Sequence, residues 1–110
     1  MNAFDILADP VRRRIVELLS TGERTAGELT SAVREEFGIS QPAVSNQLRV
    51  LRESGFAGDE RRGSHRVYAL RSDALAEVTD WVDRHRAFWR NRLDALETEL
   101  TRGARDRGRS

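Results

Sequence analysis

The chain has 110 residues, of which 38% are apolar and 34% are charged, and its formal net charge at pH 7 is +1. This length predicts one domain, and this composition is typical of a soluble globular protein. No apolar run approaches the roughly 18 residues of a membrane helix, and the N-terminus lacks the layout of a secretion signal, so we expect a cytoplasmic protein. The sequence has no cysteine, which excludes disulfides, thiolate metal sites and cysteine nucleophiles.

Positive charge is concentrated in two parts of the chain. Residues 38–71 contain 6 arginines against 3 acidic residues, and residues 102–110 contain 4 against 1. The two remaining segments each carry more acidic residues than arginines. A local basic stretch on a nearly neutral chain is the pattern expected of a polyanion-binding surface.

Three short helices are predicted in the first half of the chain, after a brief apolar segment at Phe4–Ala8. Their starts carry good N-terminal caps, which are Asp9, Thr25 and Ser40. Apolar residues then recur at helical spacing until a glycine follows each helix, at Gly22, Gly38 and Gly55. The third helix is predicted over about 41–53.

The spacing of apolar residues changes after the third helix. Residues 56–70 alternate around Gly63, which predicts a β-hairpin with a glycine turn. A hairpin directly after a three-helix unit is a wing, and we use that name for residues 56–70.

A single long helix is predicted over about 73–101. No glycine or proline interrupts this stretch, and apolar residues recur at steps of three and four, which gives a helix about 43 Å long. Residues 102–110 are predicted to be a basic disordered tail. The fold class is therefore mainly α with a small β-hairpin, a winged helix-turn-helix domain over 1–101 with a long C-terminal dimerisation helix.

The predicted third helix has two different faces. Val44, Leu48 and Leu51 form the buried stripe, which leaves polar side chains on the outer half. Asparagine and glutamine amides can bond an adenine edge twice, arginine suits guanine, and serine hydroxyls suit phosphate oxygens. We therefore expect a recognition helix for the DNA major groove, although an ordinary solvated face is the open alternative. The candidate contacts are Ser40, Gln41, Ser45, Asn46 and Arg49.

Arginines also cluster in the wing. Arginine on a narrow protrusion suits the DNA backbone or the negative minor groove, whereas charge that prevents strand aggregation is the alternative. The candidate DNA contacts here are Arg61, Arg62, Ser64, His65 and Arg66.

The apolar stripe of the long helix is longer than the preceding ~70 residues can cover, so we expect a homodimer built on it. Two-fold symmetry would place two recognition helices about 34 Å apart on one face of DNA. The residues expected at the dimer interface are Phe4, Leu7, Trp81, Phe88, Trp89, Leu93, Leu96 and Leu100.

Three stretches of the chain resemble the ArsR/SmtB family of bacterial winged-helix repressors. They are LADPVRRRIVELL, GELTSAVREEFGISQPAVSNQLRVLRESG and RRGSHRVYAL, and the resemblance covers residues 3 to about 100. It implies a homodimer that binds a palindromic operator and blocks transcription. Two features depart from the family pattern. The stretch 31–38 is about one helical turn longer, and Gln47 stands where the family often has histidine.

Metal sensing is a known trait of the ArsR/SmtB family, but this sequence does not supply a complete set of metal ligands. The thiolate site needs cysteine, and the other family site finds only the weak candidates Asp83, His85 and Glu99. Because zinc prefers four ligands, largely nitrogen or sulfur, we expect no metal and no cofactor. His85 lies on the apolar stripe, where a hydrogen-bonded interface histidine is expected.

No arrangement of residues indicates catalysis, since the chain has no glycine-rich phosphate loop, no Gly-x-Ser-x-Gly and no histidine pair at ligand spacing. We therefore expect a sequence-specific DNA-binding regulator, not an enzyme. The alternative is a winged-helix protein-docking module that does not bind DNA, which a polar face with arginine disfavours. A small-molecule effector bound near Trp81, Phe88 and Trp89 and a repressor without any ligand are both left open.

Overall fold

The computed structural model describes residues 2–107, with side chains as far as Gly103. Within them the elements are α1 (Ala3–Ala8), α2 (Pro10–Ser20), β1 (Arg24–Thr25), α3 (Ala26–Phe37), α4 (Gln41–Glu53), β2 (Ala57–Arg62), β3 (His65–Leu70) and α5 (Ser72–Arg107). Five helices and a small antiparallel sheet among the described residues confirm the predicted fold class. Residues up to Val78 form one compact unit, and those from Thr79 onward form a second.

Side-chain caps fix where the helices of the first unit begin. Asp9 accepts hydrogen bonds from the backbone N–H groups of Val11 and Arg12 at 2.8 and 3.1 Å, and Thr25 and Glu28 form a reciprocal capping box. The backbone N–H of Thr25 holds the pKa of Glu28 below its ordinary value. These caps satisfy amide groups that would otherwise lack partners at the helix ends, as the sequence predicts.

The core of the first unit lies between α1–α4 and the inner face of the sheet. Its fully buried aliphatic residues are Ile6, Ile15, Leu29, Val33, Val44 and Leu51. Tyr68 of β3 closes this core and is 2% exposed, and Leu75 and Val78 in the first turns of α5 pack against it. Each fully buried side chain of this size contributes about 1.5–3 kcal/mol, so α4 is held firmly against its neighbours.

The sheet has three strands in the order β1-β3-β2. The predicted hairpin forms between β2 and β3, and Gly63 takes the left-handed φ of 61° in the two-residue turn. The strand β1 is an addition to the prediction. It has only two residues, too few to show the alternation that identifies a strand in a sequence.

The second unit consists of the main part of α5. This helix is continuous to Arg107, so the end predicted near 101 is too early, and the segment 102–107 of the predicted tail is helical. Gly103 weakens a helix by about 1 kcal/mol but does not end it when good helix formers flank it. Residues 108–110 of the predicted tail lie outside the described residues. None of the described helices is long and apolar enough to cross a membrane.

Candidate nucleic-acid interface

The outer side of α4 carries the polar residues that the sequence selects for DNA contact. Gln41, Ser45, Asn46 and Arg49 are all exposed, whereas Val44, Leu48 and Leu51 of the same helix are buried. The core therefore fixes the rotation of α4 about its axis, and that rotation presents the four polar side chains to solvent.

The start of α4 has hydrogen-bond donors that suit an anion. Ser40 caps the helix, and its hydroxyl oxygen accepts a hydrogen bond from the Ala43 backbone N–H at 3.3 Å. A serine hydroxyl can accept and donate at the same time, so its O–H stays available to a phosphate oxygen. Free N–H groups and the positive end of the helix dipole favour negative charge at the same place.

An open cleft of about 650 Å³ lies between α3, the outer side of α4 and β3. Its lining is Ala26, Gly27, Thr30, Ser31, Arg34, Gln41, Ser45, Asn46, Leu48, Arg49, Arg52, Arg66 and Tyr68. It contains four arginines, and no carboxylate among the described side chains lines it. A concave surface with this charge attracts a polyanion.

The lining also includes polar residues that were not selected from the sequence, among them Thr30, Ser31, Arg34 and Arg52. Thr30, Ser31 and Arg34 are on α3, which the sequence places in the core unit without showing its exposed side to be near α4. Arg52 donates a hydrogen bond to the Tyr68 hydroxyl at 2.7 Å, which ties α4 to the sheet. The basic count of residues 38–71 is the only sequence signal for Arg52.

The wing residues that the sequence groups together lie on two opposite faces of the sheet. Arg61 pairs with Arg66 across the hairpin, on the face that continues to the buried Tyr68. Arg62 pairs with His65 on the other face, and Ser64 lies in the turn. Of the five candidate DNA contacts in the wing, Arg66 lines the cleft, whereas Arg61, Arg62, Ser64 and His65 do not.

Two arginines directly opposite each other repel, which raises the positive potential of this face of the wing. Arg66 is ion-paired with Asp59 at 3.0 Å, whereas Arg61 makes no ion pair with any described residue. Arg61 is therefore the wing cation that is most available to a phosphate group.

Arg62 is occupied by two acidic residues. Its Nη1 and Nη2 donate to the Glu23 carboxylate at 2.6 and 3.0 Å, and its Nε donates to Glu60 at 2.5 Å. The bond from Arg62 holds the pKa of Glu23 below its ordinary value, and Glu23, ahead of Glu60, raises the pKa of Arg62. This bidentate contact joins the wing to the turn that follows α2.

Gln47 belongs to an internal network and not to the outer side of α4. Arg12 donates to its Oε1 at 3.1 Å, and its Nε2 donates to Asp9 at 3.4 Å. Arg12 also donates to the backbone carbonyls of Asp5 and Ile6 near the end of α1. The residue that departs from the family pattern thus links three helices.

The part of α5 in the second unit exposes large apolar side chains. Phe88, Trp89, Leu93, Leu96 and Leu100 are between 49% and 65% exposed. Spacings of three and four residues place most of them on one side of the helix, as an interface helix requires. In the first unit, Leu7 packs against the core and Phe4 is 39% exposed, and their place in an interface stays a prediction.

His85 is held by its own helix. Its Nδ1 lies 2.8 Å from the Trp81 carbonyl oxygen, and its ring stacks on Trp81 with centroids 4.0 Å apart. A neutral histidine in this contact donates from Nδ1. Among the described residues, Asp83, His85 and Glu99 belong to no group of three or more potential ligands that could hold a metal ion.

Comparison with known protein families finds one match over the recognition region. The sequence profile described as "Bacterial regulatory protein, arsR family" matches residues 9–58, which contain α2, α3, α4 and the start of the wing.

Two regulators are similar over most of the chain. The transcriptional repressor SdpR of Bacillus subtilis is 35% identical over 81 residues, which cover 74% of this chain and 86% of that protein. The HTH-type transcriptional regulator Rv2034 of Mycobacterium tuberculosis is 38% identical over 91 residues, which cover 83% of this chain and 78% of that protein.

Solved structures share the fold. A crystal structure described as a possible transcriptional regulator for arsenical resistance superposes with a TM-score of 0.65 at 34% identity, over 90% of this chain and 96% of the other. The homodimeric winged helix-turn-helix DNA-binding domain of Mb0332 from Mycobacterium bovis gives a TM-score of 0.58 at 26% identity, over 76% of this chain and 77% of the other.

Proposed function

Because the chain belongs to the arsR family of bacterial regulatory proteins, we propose that it represses transcription as a homodimer bound to a two-fold symmetric operator. The protein is a DNA-binding transcription regulator. The observation that carries the finer proposal is the arginine-rich cleft beside the exposed side of α4. In this proposal the protein acts in the cytoplasm, where a bacterial operator lies.

The recognition helix α4 enters the major groove in this proposal. Gln41, Asn46 and Arg49 contact base edges, while Ser40 and Ser45 contact phosphate oxygens. This division follows from chemistry, because amides and guanidinium groups carry the donor and acceptor patterns that distinguish base pairs. Exposure of these five side chains and burial of the opposite side of α4 support it.

The wing and α3 hold the DNA backbone. Arg61 and Arg66 lie on the face of the sheet that continues to Tyr68, and Thr30, Ser31 and Arg34 line the cleft from α3. Contacts of this kind give affinity and register without sequence preference. Ser64 and His65 remain candidates for the turn of the wing, whereas the ion pairs of Arg62 give it a structural role.

A homodimer completes the operator-binding surface. The exposed apolar side of α5 from Phe88 to Leu100 is the surface through which two copies associate. Two-fold symmetry presents α4 twice, about 34 Å apart, to successive turns of one DNA face. An operator with inverted half-sites follows from this symmetry.

The test is the affinity of the full chain for DNA as a function of salt. A fluorescently labelled random duplex should bind with an affinity that falls steeply between 50 and 200 mM NaCl, by about 10³-fold if six phosphates are contacted. Duplexes selected from a random pool should then contain inverted repeats. The Arg49→Ala variant should bind the selected site about 10-fold or more weakly.

A protein-docking domain gives a different result. Its affinity for random DNA would be negligible at low salt, and selection would enrich no repeat. Glu35→Gln is a suitable control for Arg49→Ala, because Glu35 is exposed on α3 and does not line the cleft. Equal losses of affinity in both variants would contradict the assigned role of Arg49.

A further inference from the structure

Three exposed side chains on α4 are bonded to one another. The Nη2 of Arg49 donates to the Asn46 side-chain oxygen at 2.5 Å, and its Nη1 donates to both oxygens of the Glu53 carboxylate at 3.4 Å. Residues three and four positions apart are neighbours on a helix surface, so the three form one continuous patch. We call this patch the α4 triad. The sequence assigns no role to Glu53.

The bond to Arg49 determines what Asn46 can present to a base. A guanidinium group only donates hydrogen bonds, so the amide oxygen of Asn46 faces Arg49 and its NH₂ group is left for a ligand. Adenine offers one donor and one acceptor in the major groove, whereas guanine offers two acceptors, N7 and O6. The Asn46 oxygen keeps one lone pair after it accepts from Arg49. Asn46 and Arg49 then present mainly N–H donors side by side, and such a surface matches the two acceptors of guanine better than the mixed donor and acceptor edge of adenine.

Glu53 acts on the other arm of Arg49. Both side chains are more than half exposed, and an ion pair of this kind contributes little to stability. Its effect is to orient the guanidinium group and to keep it beside Asn46. The five N–H donors of an arginine exceed those used in the α4 triad, so Arg49 also keeps donors for a base edge.

We propose that the α4 triad selects guanine in each operator half-site, with Asn46 and Arg49 as the contacting residues and Glu53 as the positioning residue. The inference rests on the proposed function, because it names the bases that the same helix recognises. It reverses the preference for adenine that an unbonded asparagine would have.

Selection from a random DNA pool identifies the base that Asn46 contacts. The selection is run with the unmodified protein and with the Asn46→Ala variant. Asn46 contacts the operator position at which the variant no longer prefers one base over the others. We expect guanine there, and replacing it with adenine should weaken binding by about 10-fold. Replacing guanine with 7-deazaguanine, which lacks the N7 acceptor, should weaken binding in the same direction.

Two further variants separate the parts of the α4 triad. Asn46→Asp keeps the oxygen that accepts from Arg49 but lacks the NH₂ group, so it should lose the preference for guanine. Glu53→Ala should reduce the ratio of guanine-site to adenine-site affinity, whereas Glu53→Gln retains an acceptor and should preserve most of it. Glu35→Gln, the same charge change away from the cleft, should leave the ratio unchanged.

The outcomes are distinct. Adenine at the Asn46 position would overturn the proposal, and an unchanged affinity ratio in Glu53→Ala would remove Glu53 from the α4 triad. Failure of the unmodified protein to bind DNA would refute the proposed function, and this inference with it. Thermal unfolding should be nearly the same for all variants because the three side chains are exposed.

Discussion

Gln41 and Gln47 lie six residues apart on α4 and use the same amide group differently. Gln41 is exposed at the first turn, beside the arginine-rich cleft. Gln47 is half-buried and bonds to Arg12 and Asp9. The first is available to a base edge, and the second holds α4 against the preceding helices.

Substituting each glutamine by alanine should therefore affect different properties. Gln47→Ala removes hydrogen bonds from a partly buried network and should lower the free energy of unfolding by about 0.5–1.5 kcal/mol. Gln41→Ala should change it by less than about 0.5 kcal/mol and should weaken operator binding by about 1–3 kcal/mol. Chemical denaturation and DNA titration of both variants provide the measurement.

Each glutamine variant is the control for the other. Gln47→Ala should lower stability, which Gln41→Ala should leave nearly unchanged, and Gln41→Ala should weaken operator binding more than Gln47→Ala does. Equal stability losses would mean that the network around Arg12 does not support α4. A larger DNA-binding loss in Gln47→Ala than in Gln41→Ala would place Gln47, and not Gln41, at the DNA.

Much of the site at this scale follows from the sequence, because helical periodicity separates Val44, Leu48 and Leu51 from the outer residues. Periodicity does not reveal long-range partners. Gln47 lies near the edge of the polar face, and its partner Arg12 is 35 residues away in the chain. The ion pair of Arg62 with Glu23 joins residues 39 positions apart, so the local spacing of residue types does not predict it either.

The two faces of the wing carry different arginines with different roles. Register places Arg61 and Arg66 on the face that continues to Tyr68, and Arg62 on the opposite face. Adjacent residues of a strand point to opposite faces of the sheet. Arg61 and Arg62 therefore cannot both contact DNA that lies against one face of the wing. The sequence predicts the hairpin but not which face meets α4.

Arg61→Ala and Arg62→Ala form a matched pair that tests this division. Arg61→Ala should reduce the slope of log affinity against log salt concentration by about one per protomer, because one phosphate contact is lost. Arg62→Ala should leave the slope nearly unchanged and should lower the thermal stability slightly. Affinities measured at several NaCl concentrations give both slopes. The assignment is wrong if Arg62→Ala has the larger effect on the slope.

Element boundaries were predictable where a cap or a glycine sets them. The starts of α2, α3 and α4 coincide with Asp9, Thr25 and Ser40, whose side chains bond the first amides. The far end of α5 has no such signal. The glycine at 103 favours an end near 101, but its cost is small beside the helix propensity of the flanking residues.

At the scale of the whole molecule, the apolar side of α5 requires a partner. Trp89, Leu93, Leu96 and Leu100 are each more than half exposed in the single chain. An exposed apolar surface of this kind marks an interaction site. In a two-fold interface each residue appears twice, so one substitution removes two sets of contacts.

Leu96→Asp should therefore dissociate the dimer. Loss of about 1.5–3 kcal/mol for each buried leucine, counted twice, raises the dimer dissociation constant by at least about 100-fold. Asn91→Asp adds the same charge on the other side of α5 and should leave the dimer intact. Analytical ultracentrifugation over a range of protein concentrations measures both constants.

The DNA affinity of the same variant tests whether dimerisation through α5 is needed to pair two recognition helices. A Leu96→Asp protein keeps α4 and the wing, so it should retain weak, salt-dependent binding to a single half-site. It should lose the gain in affinity that a second half-site at the correct spacing gives to a dimer, because linked sites bind with a high effective concentration. A variant that is monomeric yet binds the full operator as tightly as the unmodified protein would show that α5 is not needed to pair the two recognition helices.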